Sequence, residues 1–304
     1  MQTIGITGGT GFIGQNMTQL LLEKGYRVVV FTRKMHKVSK FSNVSYSYWS
    51  PQEKKFDMRY LHEIDAVIHL AGAGVADKRW TQKRKEEILK SRVESTEFLV
   101  EKLKAHASNC KTFISASAIG FYGPDNESPS PFQEDAPPHH DFLAHTCTLW
   151  ESASKQAEHH LRTIILRFGI VLGKEDGVFP QMANPQKIGI MPILGSGNQV
   201  ISWIHVDDLC SLIFWMIQNE DVSGIFNAVS PNPISQKELS KTIDNHKKGF
   251  RIPLPIPEVL LKIVFGKMSV EILKSTTVSA SKIQEKGFQF KYPQIDNAVK
   301  SILQ

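Results

Sequence analysis

The hydrophobic positions of this chain fall into short apolar runs separated by longer stretches with a helical repeat. Seven runs read as strands: Thr3–Thr7, Arg27–Thr32, Val44–Ser47, Ala66–Leu70, Thr112–Ser115, Thr163–Arg167 and Phe226–Ala228. Several are apolar without interruption, as in Val28-Val29-Val30, which is what strands covered on both faces require. Between them, Gln15–Lys24, Lys83–His106, Leu143–His160 and Asp207–Gln218 carry the spacing of amphipathic helices. This alternation predicts an α/β fold, a doubly wound parallel sheet of the Rossmann type.

Two stretches interrupt the alternation. Gly123–Asp141, rich in Pro, Ser, Asp and His, predicts a long loop at a strand end, the usual place of a lid. From Gly173 to Val200 glycine and proline replace the regular pattern, and prolines recur at Pro231, Pro233, Pro253, Pro255 and Pro257. The expected organisation is a nucleotide-binding domain over 1–172, its sheet resuming at about 201–230. A smaller, mostly helical substrate lobe is expected from 173–200 and 231–304.

The chemistry starts at the first turn, Thr7-Gly8-Gly9-Thr10-Gly11-Phe12-Ile13-Gly14. A strand precedes it and a helix follows, the arrangement that holds a diphosphate on the first helical N–H groups of Phe12, Ile13 and their neighbours. Gly8 allows the sharp turn, Gly11 removes a Cβ from the path of the diphosphate, and Gly14 lets helix and sheet approach closely. The second strand ends Phe31-Thr32-Arg33-Lys34, without the Asp or Glu that would grip a ribose and repel a 2′-phosphate. Arg33 suits a phosphate through paired, charge-assisted bonds, Thr32 adds a hydroxyl, and Lys34 or Lys37 a point charge. NADP(H) is therefore the expected cofactor. The fourth strand ends in Leu70-Ala71-Gly72-Ala73-Gly74, where small residues let backbone lie along the adenine ribose and diphosphate, and His69 reads as a packed core histidine.

The formal charge of +6 and pI near 9.1 raise nucleic acid as a partner. The cations are spread along the chain, and the densest cluster, Lys78–Lys85, reads as a solvated helix face, so no nucleic-acid partner is expected. Cys110, Cys147 and Cys210 form no CxxC pair, His139-His140 is too short a cluster for a metal, and no apolar run is long enough for a bilayer. A strand begins almost at the first residue, which leaves no room for a signal peptide. The expectation is a soluble cytoplasmic protein with no metal and no membrane partner.

The glycine turn, His69-Leu70-Ala71-Gly72 and Ser115-Ala116-Ser117-Ala118-Ile119-Gly120-Phe121-Tyr122-Gly123 resemble the extended short-chain dehydrogenase/reductases. Further runs narrow the resemblance: Ala76–Thr81, Ser91-Arg92-Val93, Trp150-Glu151, Gly195–Gln199, Ser202–Asp208 and Asn227–Pro233. They are similar to an NADP-binding subgroup of epimerase family proteins that has a C-terminal domain of unknown function. The resemblance spans essentially the whole chain. It implies that Arg167 and Gly169 lay backbone against the nicotinamide, and that related enzymes often hold Asn where Arg92 stands. It also suggests a homodimer through helices of the sheet domain.

In the superfamily a Ser, a Tyr and a Lys four residues later carry proton transfer. Ser117 fits the Ser. The subgroup register puts Cys147 and Glu151 at the Tyr and Lys places; a shifted register gives Glu151 and Lys155. Neither contains a tyrosine. Cys147, Tyr122 and His145 are the candidate substitutes for the proton carrier, and Glu151 can accept from ribose hydroxyls. Gln199, Ser202 and Trp203 are candidates for lining the substrate cleft, and Asp207 for capping the following helix. Two functions remain. One is an NADP(H)-dependent oxidoreductase or epimerase acting on a small hydroxyl- or carbonyl-bearing substrate, a nucleotide sugar by family analogy. The other is an NADP(H)-binding sensor or scaffold that lacks the Tyr–Lys pair.

Overall fold

The apolar runs form strands buried on both faces, and the computed structural model describes them within residues 1–34, 42–125 and 130–304. The first part of the chain runs β1 (Thr3–Thr7), α1 (Phe12–Glu23), β2 (Arg27–Thr32), β3 (Val44–Ser50), β4 (Lys55–Phe56), β5 (Ala66–His69), α2 (Gln82–His106), β6 (Thr112–Ala118), α3 (Phe142–Lys155) and β7 (Arg162–Phe168). It continues with β8 (Ile170–Leu172), α4 (Val178–Ala183), β9 (Ile190–Leu194), β10 (Val200–Ile201), β11 (Trp203–His205), α5 (Val206–Gln218), β12 (Gly224–Ala228), β13 (Ile234–Ser235) and α6 (Gln236–Asn245). The last elements are β14 (Ile252–Ile256), α7 (Glu258–Phe265), α8 (Ser269–Leu273), α9 (Ser281–Glu285) and α10 (Ile295–Leu303).

The main sheet has the order β12-β7-β6-β5-β1-β2-β3-β4, parallel apart from the two-residue edge β4. Thr7 lies beside Phe31 on one side and His69 on the other. The strand order reverses between β1 and β5, which opens a crevice at their C-terminal ends, where such sheets bind ligands. One face buries Ile4, Ile6, Val28, Val30 and Ile68 against Met17 and Leu21 of α1 and Leu209, Ile213 and Met216 of α5. The other buries Val29, Phe31, Val67 and Phe113 against Leu99 and Leu103 of α2. Each of these large side chains contributes about 1.5–3 kcal/mol by leaving water.

The elements differ from the sequence reading mainly at their ends. Helix α1 starts at Phe12, because Gly14 is a residue of its first turn. Strand β6 continues past Ser115 to Ala118, since β7 pairs alongside it as far as Phe168. Helix α3 stops at Lys155, where the next N–H groups tighten onto carbonyls three residues back. The region expected as a helical lobe also holds strands, paired as β9 with β14 and β10 with β13, and beside it β8 pairs with β11. Its core gathers Leu172, Phe179, Met182, Trp203, Leu239 and Val299. Strand β14 lies on the surface, and Ile252 donates its N–H to the Gly189 carbonyl.

The described part of the Gly123–Asp141 loop is tied down and is not a free lid. Phe132 donates its N–H to Thr277 and accepts from Ser279, and its ring stacks on Tyr122 with centroids 5.1 Å apart. No helix among the described residues is long and apolar enough to cross a membrane.

Candidate functional site

The crevice begins at the glycine turn. Gly8 sits at φ +69°, and a Cβ there would come within 2.9 Å of the Leu70 carbonyl. A Cβ at Gly14 would stand 2.3 Å from the Gly8 oxygen, so Gly14 folds the helix start back onto the turn itself. Closeness to the sheet falls instead to Gly9, whose Cβ would meet Val30 at 2.9 Å. Gly11 is different. Its Cβ would meet only the Gly8 oxygen, at 3.3 Å, so the space beside it is open. Helix α1 has no side-chain cap and no acid in its first turn, which leaves its first N–H groups and positive end facing the crevice. The Phe12 ring reaches across to Gly173, where a Cβ would lie 2.2 Å from it.

The floor of the crevice is fixed by a buried chain of side chains. His69 is fully buried, and burial pushes its pKa down to about 3. Thr96 donates to the Arg92 carbonyl, so its oxygen accepts from His69 Nε2 at 2.9 Å. His69 Nδ1 is then the acceptor of the Thr7 hydroxyl at 2.7 Å, and Thr7 in turn accepts the N–H groups of Leu70 and Ala71. His69 thus ties β1 to β5 at the switch point. At the end of β2, Thr32 is buried and accepts the Lys34 N–H at 3.2 Å, while Arg33 and Lys34 are exposed. Lys37 lies outside the described residues.

Across the crevice, α3 places Cys147 and Glu151 one turn apart and both buried, next to Ser117 at the end of β6. Lys155, the other member of the shifted register, is exposed. Ser117 donates to Glu151 Oε1 at 2.7 Å. Arg167 grips the same carboxylate with two bonds, Nε to Oε1 at 2.8 Å and Nη2 to Oε2 at 2.9 Å, with exposures of 2% and 4% for the two side chains. Its Nη1 donates to the Tyr122 hydroxyl and to the Glu134 carbonyl, and its guanidinium lies 3.5 Å from the Phe121 ring centroid. Tyr122 donates to Asn227 Oδ1 at 2.6 Å, and the Asn227 N–H is held by Glu134. Ser115 instead accepts from Ser154 inside the sheet–helix interface.

The electrostatics follow from this closure. Burial pushes the Cys147 thiol up to about 12; Glu151 adds to the shift, while Arg92 and the Ser117 and Ala118 contacts oppose it. Burial also lifts Tyr122 to about 12 against the pull of Arg167. Desolvation works to lower the Arg167 pKa, but Glu151 outweighs it and the net shift is upward. At neutral pH the thiol and phenol both keep their protons.

Several expected residues stand elsewhere. Trp203 is fully buried and donates to the Asn232 carbonyl; Ser202 donates to Thr276 and accepts the Val278 N–H; Gln199 donates to the Leu194 and Ile272 carbonyls. These bonds tie all three to neighbouring segments of the chain. A Cβ on Gly169 would press on the Ser202 oxygen at 2.7 Å. His145 is exposed on the outer side of α3. The cap of α5 is His205, whose Nδ1 accepts the Asp207 N–H; Asp207 is inside the first turn. The Arg167 side chain is spent on Glu151, so only its backbone can serve a ligand. Glu134 and Asn227 were not anticipated as partners of the site, because loop and strand spacing says nothing of which carboxylate meets which N–H. Among the described residues no group of His, Cys, Asp or Glu is placed to hold a metal ion.

Comparison with known proteins gives this geometry a family. Residues 4–228 match the NAD dependent epimerase/dehydratase family, and 256–302 match a domain of unknown function, DUF1731. The chain is 36% identical over 304 residues to the epimerase family protein YfhF of Bacillus subtilis (strain 168), covering 99% of this chain and 97% of that one. Its fold is similar to human epimerase family protein SDR39U1 (isoform 2), solved with NADPH, at a TM-score of 0.85 and 27% identity over 99% of both chains. UDP-N-acetylglucosamine 4-epimerase from Bacillus cereus shares the fold at a TM-score of 0.78 and 21% identity, with 99% of this chain and 95% of that one covered. Matched along nearly its whole length, the chain belongs to the NAD dependent epimerase/dehydratase family of extended short-chain dehydrogenase/reductases, among the epimerase family proteins that carry a DUF1731 domain.

Proposed function

We propose that the protein binds NADP(H), and that its cleft is built for binding without the proton relay of its superfamily. The observation that carries the cofactor reading is the open cradle. An uncapped helix start is preceded by Gly11, whose missing Cβ no protein atom but one oxygen demands, and β2 ends in two exposed cations. The residues present fit the group: Gly8–Gly14 backbone for the diphosphate, Thr32 and Arg33 for a 2′-phosphate, Leu70–Gly72 along the ribose. The NADPH in the human relative supports the same reading. When bound, the cofactor supplies a hydride at its nicotinamide.

The relay is another matter. The Ser117 hydrogen is committed to Glu151, both Glu151 oxygens are held by Arg167, and Tyr122 is bonded on both sides. Among the described residues there, the thiol and phenol keep their protons and the Glu151 carboxylate is tied to Arg167, so none is a free proton carrier at neutral pH. This favours a sensor or scaffold. A second reading, a carbonyl reductase, is favoured by the place of Cys147, buried one turn before Glu151 and beside Ser117, where burial pushes the thiol pKa up. Of the family's reactions, only one that consumes a proton suits such a thiol.

Fluorescence titration with NADPH and NADH tests the proposal. NADPH should bind at least about ten-fold more tightly than NADH, and Arg33→Ala should remove that margin, as charge-assisted bonds to a phosphate predict. Equal affinities would overturn the cofactor assignment. Absorbance assays against carbonyl compounds and nucleotide sugars should show no turnover. Turnover abolished by Cys147→Ala, with NADPH binding kept, would establish the reductase.

A further inference from the structure

Arg92 projects from α2 into the same crevice. Its Nη1 donates to the Ala73 carbonyl at 3.0 Å and the Ile88 carbonyl at 3.2 Å, and its guanidinium carbon lies 5.1 Å from the Trp150 ring centroid. A Cβ on Gly72 would stand 3.1 Å from that carbon, so the backbone there leaves room for the group. The side chain is therefore anchored by one nitrogen and stacked on one face.

What it lacks is an anion. Among the described residues no carboxylate lies within 4 Å of Arg92, and Asp77, whose charge it feels, is paired with Arg84. The other arginines withdrawn from water are compensated. Arg167 has Glu151, Arg84 has Asp77 and Glu87, Arg251 has Asp244, and Arg27 has Glu63. Arg162 has no carboxylate but spends Nη1 and Nη2 on four backbone carbonyls and the Thr112 hydroxyl. Arg92 has neither a carboxylate nor acceptors on Nε and Nη2. That pair of nitrogens forms the edge with which Arg167 grips Glu151. Arg92 is half-buried; withdrawing a guanidinium from water without a counter-charge is costly, and desolvation lowers its pKa. A ligand oxyanion on the free edge would restore the balance.

We propose that Arg92 is an anion-recognition residue of the cleft, its Nε–Nη2 edge taking two oxygens of a phosphate or carboxylate on a molecule bound beside Leu70–Gly72 and Cys147. This deepens the NADP(H) reading and rests on it. The anion has two sources, the cofactor's diphosphate or an acidic group on a second ligand, and the experiment separates them.

Calorimetric titrations of wild type, Arg92→Gln and Arg92→Lys would use NADPH on the free protein, then acetate and inorganic phosphate on the NADPH-loaded protein. Melting curves check that each variant is folded. A loss of NADPH affinity of about ten- to hundred-fold in Arg92→Gln, only partly recovered in Arg92→Lys, assigns the edge to the diphosphate. Unchanged NADPH affinity with loss of acetate or phosphate binding assigns it to a second, acidic ligand. If wild type and Arg92→Gln bind NADPH, acetate and phosphate alike, the inference is overturned. Wild-type protein that binds no NADPH at all overturns the cofactor reading instead, and titration of the free protein with the two small anions then decides the role of Arg92.

Discussion

Replacing Glu151 by Leu would remove the carboxylate on which Ser117 and Arg167 converge while keeping a side chain of similar size. Arg167 would keep its charge at 2% exposure, with the Tyr122 hydroxyl, the Glu134 carbonyl and the Phe121 face as its remaining company. Two charged bonds from Arg167 disappear, at about 1.5–3 kcal/mol each. Loss of one partner of a buried pair costs about 3–5 kcal/mol by an independent route, and the two figures overlap. The double variant Glu151→Leu/Arg167→Met removes the stranded charge as well. It should be more stable than the single variant by about 2 kcal/mol or more, because the desolvation penalty is then relieved on both sides. Urea unfolding followed by far-ultraviolet dichroism measures both, provided the slopes agree between proteins. A single variant that loses less than about 1 kcal/mol, or a double variant whose loss is the sum of the two single losses, would refute the view that a buried, mutually dependent ion pair holds this place.

Two other outcomes follow from the geometry. Gly11→Val should fold normally, since its Cβ faces open space apart from the Gly8 oxygen, but should weaken NADPH binding at least about ten-fold; a variant that binds as wild type does would remove the diphosphate from that position. His69 has a folded pKa of about 3 against 6.5 in the open chain, so between these values the unfolded chain takes up a proton that the folded protein refuses. Stability is therefore full above about pH 6.5 and falls as the pH drops, by about 2 kcal/mol near pH 5. His69→Gln removes this contribution, and a wild-type-minus-variant difference that is flat from about pH 8 to about pH 5 would contradict the assignment.

The parts of the fold written in local pattern were legible. Continuous apolar runs marked the parallel strands, and a strand–glycine–helix sequence marked the turn that carries Gly8 at positive φ. Ser117, Cys147 and Glu151 could be chosen because the family resemblance supplies their places, and the helical i, i+4 spacing sets Cys147 and Glu151 one turn apart. The Glu151–Arg167 pair could not. It depends on how far α3 leans over β7, and the residues between carry no periodic signal of it. The same holds for Gln199, Ser202 and Trp203, whose polar atoms are claimed by the returning C-terminal segment, Ile272–Val278, and by Asn232. His205 displaced Asp207 as the helix cap because its ring can stack on Tyr292, 4.1 Å away, a partner far along the chain.

Strand β14, Ile-Pro-Leu-Pro-Ile, also bears on how the molecule meets its neighbours. Ile252 turns its N–H inward to β9, so by alternation Pro253 and Pro255 occupy the outward positions, and neither has an N–H to offer. Ile252 and Leu254 are nevertheless 62% and 47% exposed. An apolar surface strand with a free backbone edge is a template for adding strands from other copies of the chain. Here the edge lacks the donors that such growth needs. The surface stays available for side-chain contact while strand-by-strand polymerisation is blocked.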